Sequence, residues 1–269
     1  AGVRVREQFL DLDRVYTALG VAQYKGGAFA EAERSFQRSL ELQPSAPETH
    51  ANFGRMYAAQ ERWAEAAREF EASARLRPGA AEDRLLLAQA WQTLGKSAEA
   101  EALATELVSE LPLRAEPLIV LATGALRRGD SGAALSFLER ALLLAPRNGH
   151  AWYQKARAFL LRNEPQNALT AFRNAVELEP QSFEAHYDCA AFLLSQGLLA
   201  EARPYLVRAY ELAAREYREP LRKNLAQLPL EDAAELLALC AIDTQRDELA
   251  PALEWLERAL ALAPTDDRL

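Results

Sequence analysis

Two stretches decide the fold of this chain, because they are near copies of each other: SFQRSLELQP at residues 35–44 and AFRNAVELEP at residues 171–180. They begin 136 residues apart, which is four times 34, and EFEASARLRP (69–78) and FLERALLLAP (137–146) fall in register with the same period. Internal repetition with a period of this size is typical of solenoids built from stacked units. The sequence therefore predicts an array of 34-residue repeats.

The closing proline of each unit sets the repeat boundaries. Pro44, Pro78, Pro112, Pro146 and Pro180 are spaced 34 residues apart, and Pro264 closes a further copy. Residues 1–12 are expected to form an N-terminal partial helix or cap, because the end of a solenoid needs a polar cover. We place six repeats at 13–46, 47–80, 81–114, 115–148, 149–182 and 183–216, a helical insert at 217–232, a seventh repeat at 233–266 and a tail at 267–269.

Each unit is expected to contain two antiparallel helices, since apolar residues recur at i, i+3, i+4 and i+7 in both halves. Position 15 is mostly Gly or Asn, as in Gly27 and Asn163, and such a residue ends the first helix in the left-handed region. Position 8 is small (Gly20 in the first repeat) and position 20 is always alanine, so the two helices can approach closely. In the insert, we expect Pro220 and Pro229 to bound a short helix.

Because spacing, small positions, aromatic residues and prolines agree, the sequence resembles a tetratricopeptide repeat array over about residues 13–266. The resemblance implies an all-α fold, a right-handed superhelical solenoid of helix-turn-helix repeats, with fourteen helices from seven repeats and extra helix in the insert. It also implies that the first helix of each repeat lines a concave side on which partners bind. The pentatricopeptide class has a similar period, but its members bind RNA and would be basic. This chain is acidic, with a formal net charge of −8, so it does not resemble that class.

The composition and charge of the chain limit the kinds of partner that it is expected to bind. The formal net charge of −8 argues against nucleic acid, which requires a basic stripe. No apolar run approaches the roughly 20 residues that span a bilayer, so no membrane insertion is expected. The N-terminus lacks the apolar core of a secretory signal, which indicates a cytoplasmic location, or a periplasmic one if a signal segment has been removed. The excess of arginine over lysine and the abundance of alanine suggest a GC-rich genome and a bacterial source.

No catalytic site, cofactor or metal site is expected. Cys189 and Cys240 lie in helical apolar patterns and are interpreted as small buried hydrophobes. His50 and His186 occupy position 4, where this family packs an aromatic residue, so we interpret them as core residues rather than ligands. The carboxylates fall beside arginines on solvated helix faces, and nothing assembles a nucleophile, a base and an orienting group.

Binding is therefore expected on the concave face, at positions 2, 5, 6, 9 and 12 of the first helices. An apolar middle that includes Leu85 and Ile119, flanked by tyrosines and arginines, suits an extended or helical peptide. The alternative for Arg157 is a simple ion pair with Asp188 or Glu184 of the next repeat. The candidate peptide-binding residues are Asn52, Arg55, Gln89, Tyr153, Arg157 and Tyr187.

The leading interpretation is a non-catalytic protein–protein interaction scaffold that binds a peptide or protein segment in its groove. The alternatives are the substrate-recruiting repeat region of a larger enzyme, such as a transferase or hydroxylase, and a self-assembling structural module. The last helix carries Leu253, Leu256, Leu260 and Leu262, part of which should be left uncovered. This end offers a surface for self-association or for a continuation of the chain beyond Leu269.

Overall fold

The computed structural model describes residues 12–228 and 233–262, and every regular element within these residues is an α-helix. The number of helices matches fourteen repeat helices plus one in the insert. The fifteen helices are α1 (Leu12–Lys25), α2 (Phe29–Leu42), α3 (Pro47–Ala59), α4 (Trp63–Leu76), α5 (Ala81–Thr93), α6 (Ser97–Glu110), α7 (Glu116–Arg127), α8 (Ser131–Leu144), α9 (Gly149–Leu161), α10 (Pro165–Leu178), α11 (Phe183–Ser195), α12 (Leu199–Leu212), α13 (Arg215–Gln227), α14 (Ala233–Gln245) and α15 (Leu249–Leu262).

The turn between the two helices of a repeat contains one residue in the left-handed region. This residue is glycine or asparagine at the five positions that the sequence indicated, with φ between 57° and 80°. Glu61 (φ 59°) and Asp247 (φ 57°) take the same conformation in repeats 2 and 7, although it costs a residue with a Cβ about 1 kcal/mol. The backbone hydrogen bond from Arg62 N to the carbonyl of Tyr57 (3.0 Å) closes the turn at Glu61 and offsets that cost.

The two helices of a repeat pack closely where the first carries glycine and the second phenylalanine. A Cβ placed on Gly20 would lie 2.8 Å from Cε1 of Phe36, and one on Gly54 would lie 2.6 Å from Cε1 of Phe70. Both phenylalanine rings are buried, so these glycines are required by the space that the rings occupy. The expected roles of the small and bulky positions are confirmed in these two repeats.

The chain divides into two compact units, Ala1–Arg147 and Asn148–Leu269. In the first unit, Phe36, Phe53, Met56 and Phe70 belong to one buried cluster. Helix α7 of this unit is apolar on every side, and each of its residues from 117 to 126 is buried. A helix of this kind is stable only when it is enclosed by neighbours, and α7 therefore forms part of the core of the first unit.

In the second unit the insert helix α13 begins at Arg215, so Pro220 lies inside the helix and the prediction that it would start the helix is wrong. A proline in the second turn removes one backbone hydrogen bond, which costs about 3 kcal/mol. Leu221 and Leu225 follow it on one face and are fully buried in a cluster with Tyr210. Two buried leucines contribute roughly 1.5–3 kcal/mol each, enough to offset the proline. Pro229, the other predicted boundary, lies outside the described residues.

A buried carboxylate joins the sixth and seventh predicted repeats. Asp243 on α14 is fully buried and accepts hydrogen bonds from the Tyr210 hydroxyl (2.5 Å) and from Nε1 of Trp255 (2.9 Å). Burial raises the pKa of the Asp243 carboxyl, and both hydrogen bonds oppose that shift. Two donors thus satisfy a polar group that burial alone would destabilise.

The last described helix leaves leucines uncovered, as the sequence indicated. Leu253, Leu260 and Leu262 of α15 are exposed, and Leu256 is half-buried. The predicted N-terminal cap comprised residues 1–12, of which 1–11 lie outside the described part of the chain and Leu12 begins α1. No described helix is both long and apolar enough to cross a lipid bilayer.

Candidate peptide-binding surface

In the first unit, two of the three predicted contact residues touch each other. Asn52 and Arg55 lie one turn apart on α3, and Nη1 of Arg55 donates to Oδ1 of Asn52 at 3.1 Å. The Arg55 side chain is exposed, and its guanidinium forms no ion pair within the described residues. Gln89 occupies the position of Arg55 on α5 and is half-buried, but no described contact joins it to the pair. The predicted surface of the first unit therefore consists of the hydrogen-bonded pair Asn52 and Arg55 and, without contact to it, the amide of Gln89.

In the second unit, Tyr153 links two successive first helices. Its hydroxyl on α9 donates to Oδ2 of Asp188 on α11 at 2.7 Å. Burial of the phenol, and then the hydrogen bond to Asp188, raise the pKa of Tyr153 above its ordinary value of 10.0. The hydroxyl therefore stays protonated and acts as a fixed donor.

The alternative to a binding role for Arg157 was an ion pair with Asp188 or Glu184, and the described residues show neither pair. Its guanidinium carbon lies 5.7 Å from the ring centroid of Tyr153, and Nη1 donates to Oε1 of Gln154 at 3.3 Å. Gln154 is buried and neutral, so it positions the guanidinium without neutralising it. Arg157 is exposed and is held in place as a cation that can accept a carboxylate partner.

Tyr187 stacks against an aromatic residue that sequence reasoning did not place in the site. Its ring lies 5.6 Å from that of Phe183 at an interplanar angle of 22°, and Phe183 in turn lies 5.3 Å from Tyr217 on the insert helix α13. Tyr187 is 39% exposed and Tyr217 is 51% exposed, so both rings present apolar area to solvent. The spacing of Tyr217, Leu221 and Leu225 on one helical face was the signal that could have identified Tyr217.

The apolar middle of the predicted groove is not open. Leu85 is 2% exposed and Ile119 is 7% exposed, so the expectation that they line the groove is wrong. Successive first helices of this unit approach closely. Nε2 of Gln92 on α5 donates a hydrogen bond to the carbonyl of Val120 on α7 at 2.8 Å. Side chains at position 5 of these helices are therefore enclosed in the core. Tyr153 at the same position is half-buried and carries a polar tip that extends to the next helix.

The two cysteine thiols and the residue types that bind metals show no arrangement for chemistry in the described part of the chain. Cys189 is buried, and burial raises the pKa of its thiol to about 12, so it is inert as predicted. Cys240 is half-buried rather than buried, because it lies on the partly exposed side of α14 near Thr244. Within the residues that the structure describes, no three His, Cys, Asp or Glu side chains come together as a metal site.

Comparison with known proteins agrees with the fold. The chain matches the family described as tetratricopeptide repeat over residues 13–45, 119–173 and 155–216. A search of curated protein sequences finds no match.

Three solved structures illustrate the likeness. The APC/C hetero-tetramer Cut9-Hcn1 has a TM-score of 0.69 and 19% identity, covering 81% of this chain and 43% of that chain. A thermophilic TPR protein in Thermus thermophilus has a TM-score of 0.59 and 26% identity, covering 67% of this chain and 97% of that chain. The human IFIT1 dimer with PPP-AAAA has a TM-score of 0.57 and 20% identity, covering 88% of this chain and 69% of that chain.

The fold that this chain shares with these structures is an all-α superhelix of helical repeats. This chain spans less than half of the matched chain in the Cut9-Hcn1 structure. The family matches cover the first, fourth, fifth and sixth predicted repeats, and the helix–turn–helix pairs there have the spacing read from the sequence. Residues 13–45 and 119–216 of the chain therefore consist of tetratricopeptide repeats.

Proposed function

We propose that the chain is a non-catalytic interaction scaffold that binds a peptide or protein segment on the face lined by the first helices of its repeats. Proteins of this fold are typically interaction scaffolds, and the family is generally non-catalytic. The finer proposal names the surface: Asn52, Arg55 and Gln89 in the first unit, and Tyr153, Arg157 and Tyr187 in the second.

The observation that carries this proposal is the environment of Arg157. Arg77 and Arg114, which lie in the loops between repeats, are each held by two carboxylates, and both are thereby neutralised. Arg157 and Arg55 have only neutral partners in the described part of the chain. An exposed guanidinium held beside the half-buried ring of Tyr153 suits a peptide that carries a carboxylate next to an apolar side chain.

The experiment is an affinity measurement on a peptide selected from a random library against the wild-type chain. We expect the double variant Arg55→Ala/Arg157→Ala to bind at least ten-fold more weakly and to unfold at the same denaturant concentration, because both side chains are exposed. Salt should weaken wild-type binding if the selected peptide is acidic.

The matched control is Arg34→Ala/Arg38→Ala, which removes two exposed arginines from the second helix α2 of repeat 1. It changes the net charge equally and should leave the affinity unchanged. Equal affinity of the wild type and the Arg55/Arg157 variant would refute the proposal.

Self-association is a second candidate, favoured by the exposed leucines of α15. Leu253 is 57% exposed and Leu249 is 63% exposed on the same side of the helix. Sedimentation velocity should then show concentration-dependent dimers that Leu253→Glu abolishes. A wild-type chain that stays monomeric at high concentration would eliminate this candidate.

We also propose that the protein acts in the cytoplasm. Both cysteines are free thiols, which is the usual state in a reducing compartment. Cell fractionation that places the protein in the periplasm would contradict this location.

A further inference from the structure

Position 4 of the first helix lies beside the closing proline of the preceding repeat, and two repeats fill this space with a histidine ring. In repeat 2, Nε2 of His50 lies 3.1 Å from the carbonyl of Pro44. In repeat 6, Nε2 of His186 lies 3.3 Å from the carbonyl of Pro180. In both repeats an aromatic ring nitrogen faces the same carbonyl across the same junction.

Repeat 4 differs because its position 4 is Leu118, which is shorter than histidine and has no polar atom. A pocket of about 270 Å³ remains there, with aliphatic walls from Val108, Leu111, Leu118, Leu143 and Leu144 and with Arg114 and Arg140 at its edge. Leu118 is 3% exposed and lies deep, whereas Leu143 is 82% exposed and forms the outer wall. Pro112 also lines the pocket, and its carbonyl receives no hydrogen bond from the described residues. All these residues lie in the first compact unit.

We infer that this pocket binds a tryptophan side chain of a partner peptide, with the indole N–H donated to the Pro112 carbonyl. The ring takes the space that His50 and His186 fill in their own repeats, and the donor satisfies the equivalent carbonyl. Tryptophan fits better than histidine because the walls are aliphatic and because indole is a donor only, which leaves no acceptor unsatisfied. The chain itself carries tryptophan, Trp152, at position 4 of repeat 5.

Charge at the pocket indicates what flanks the tryptophan. Arg114 is already held by Glu82 and Glu116. Arg140 is exposed and forms no ion pair in the part of the chain that the structure describes. An acidic residue next to the tryptophan would pair with Arg140, while the exposed side chain of Leu143 loses water contact on binding. The occupant is therefore a tryptophan within an acidic segment. The pocket is lined by α6, α7, α8 and the loop before α7, and it shares no residue with those proposed for the first-helix face.

The test uses three tripeptide probes in NMR titrations of the methyl-labelled chain. Acetyl-Glu-Trp-Glu-amide should shift the methyl signals of Leu118, Leu143 and Leu144 saturably. Acetyl-Glu-Ala-Glu-amide should leave them unchanged, and acetyl-Lys-Trp-Lys-amide should bind several-fold more weakly at low salt. Equal binding of the alanine probe, or shifts confined to other leucines, would overturn the inference.

Variants complete the test. Leu118→Trp should fill the pocket from within and reduce binding of the Glu-Trp-Glu probe at least ten-fold, whereas Arg55→Ala/Arg157→Ala should not change it. If Leu118→Trp does not fold, Arg140→Glu replaces it, since this exposed change should reverse the preference towards the Lys-Trp-Lys probe. Undiminished binding by folded Leu118→Trp, or an unchanged preference in Arg140→Glu, would contradict the inference.

Discussion

Nδ1 of His50 lies 2.6 Å from Oε2 of Glu69, and this ion pair joins the two helices of repeat 2. Because Nε2 also faces the carbonyl of Pro44, both ring nitrogens have acceptors, which only the protonated imidazole can satisfy. The hydrogen bond to Glu69 raises the pKa of His50 above its ordinary value of 6.5, although burial opposes the shift.

The raised pKa of His50 predicts a pH-dependent contribution to stability. The contribution is fully present below the unfolded-state pKa near 6.5 and is lost as pH rises through the higher native pKa. His50→Gln should therefore cost about 1.5 kcal/mol at pH 6, the usual value of a hydrogen bond to a charged group, and less at pH 9. Urea unfolding of both proteins across this range measures the difference. A cost that does not vary with pH would contradict the prediction.

His186 should show the opposite dependence at the equivalent position of repeat 6. Burial lowers its pKa, and its Nδ1 has no hydrogen-bond partner in the described residues. Its contribution is present above the unfolded-state pKa near 6.5 and is lost as pH falls through the lower native pKa. In the same urea series, the cost of His186→Gln should shrink towards acid pH. A cost that grows towards acid pH would show that the charged form is the stabilised one.

Gly54 should not tolerate a methyl group. The new Cβ in Gly54→Ala would lie 2.6 Å from the ring of Phe70, which is buried and cannot move freely. Overpacking of this kind costs about 1–3 kcal/mol, more than the roughly 1 kcal/mol that alanine gains over glycine in a helix. Thermal unfolding measures the loss. Gly79→Ala is the control, since nothing lies within 4 Å of its added Cβ, and its stability should match the wild type.

Removal of the Tyr210 hydroxyl should destabilise the second unit. Tyr210→Phe leaves the buried carboxylate of Asp243 with the Trp255 donor alone, at a cost of about 1.5–3 kcal/mol. The same loss should raise the pKa of Asp243 further, because the hydrogen bond from Tyr210 lowers it. Chemical denaturation gives the free energy, and Tyr217→Phe, with its half-exposed ring, is the control with little expected effect. Equal stability of the two variants would show that the buried network contributes nothing.

The helix pairs of the fold were predictable from the sequence because period and residue type agree. The left-handed turn residue is signalled by glycine at Gly27 and Gly95, but at Glu61 only the 34-residue period places it. Asp247 lies outside that period, because the 16-residue insert precedes its repeat. Where the period breaks, prediction fails: Pro220 was interpreted as a helix start, and burial of the leucines after it keeps it inside α13.

The candidate site was predictable only in part. Helical spacing brought Asn52 next to Arg55, one turn apart. The bond from Tyr153 to Asp188 was not predicted, since it depends on the reach of one side chain to the next repeat. Burial of Leu85 and Ile119 was missed because spacing identifies a helix face and does not give the distance to the neighbouring helix.

The most direct test of the central claim is a crystal structure of the chain bound to a peptide selected from a random library. The account predicts peptide atoms in contact with Arg55 and Asn52 on α3 or with Tyr153, Arg157 and Tyr187 on α9 and α11, and a peptide carboxylate on a guanidinium of Arg55 or Arg157. A peptide bound only to second helices, such as α2, α4, α10 or α12, with these side chains untouched, would contradict it.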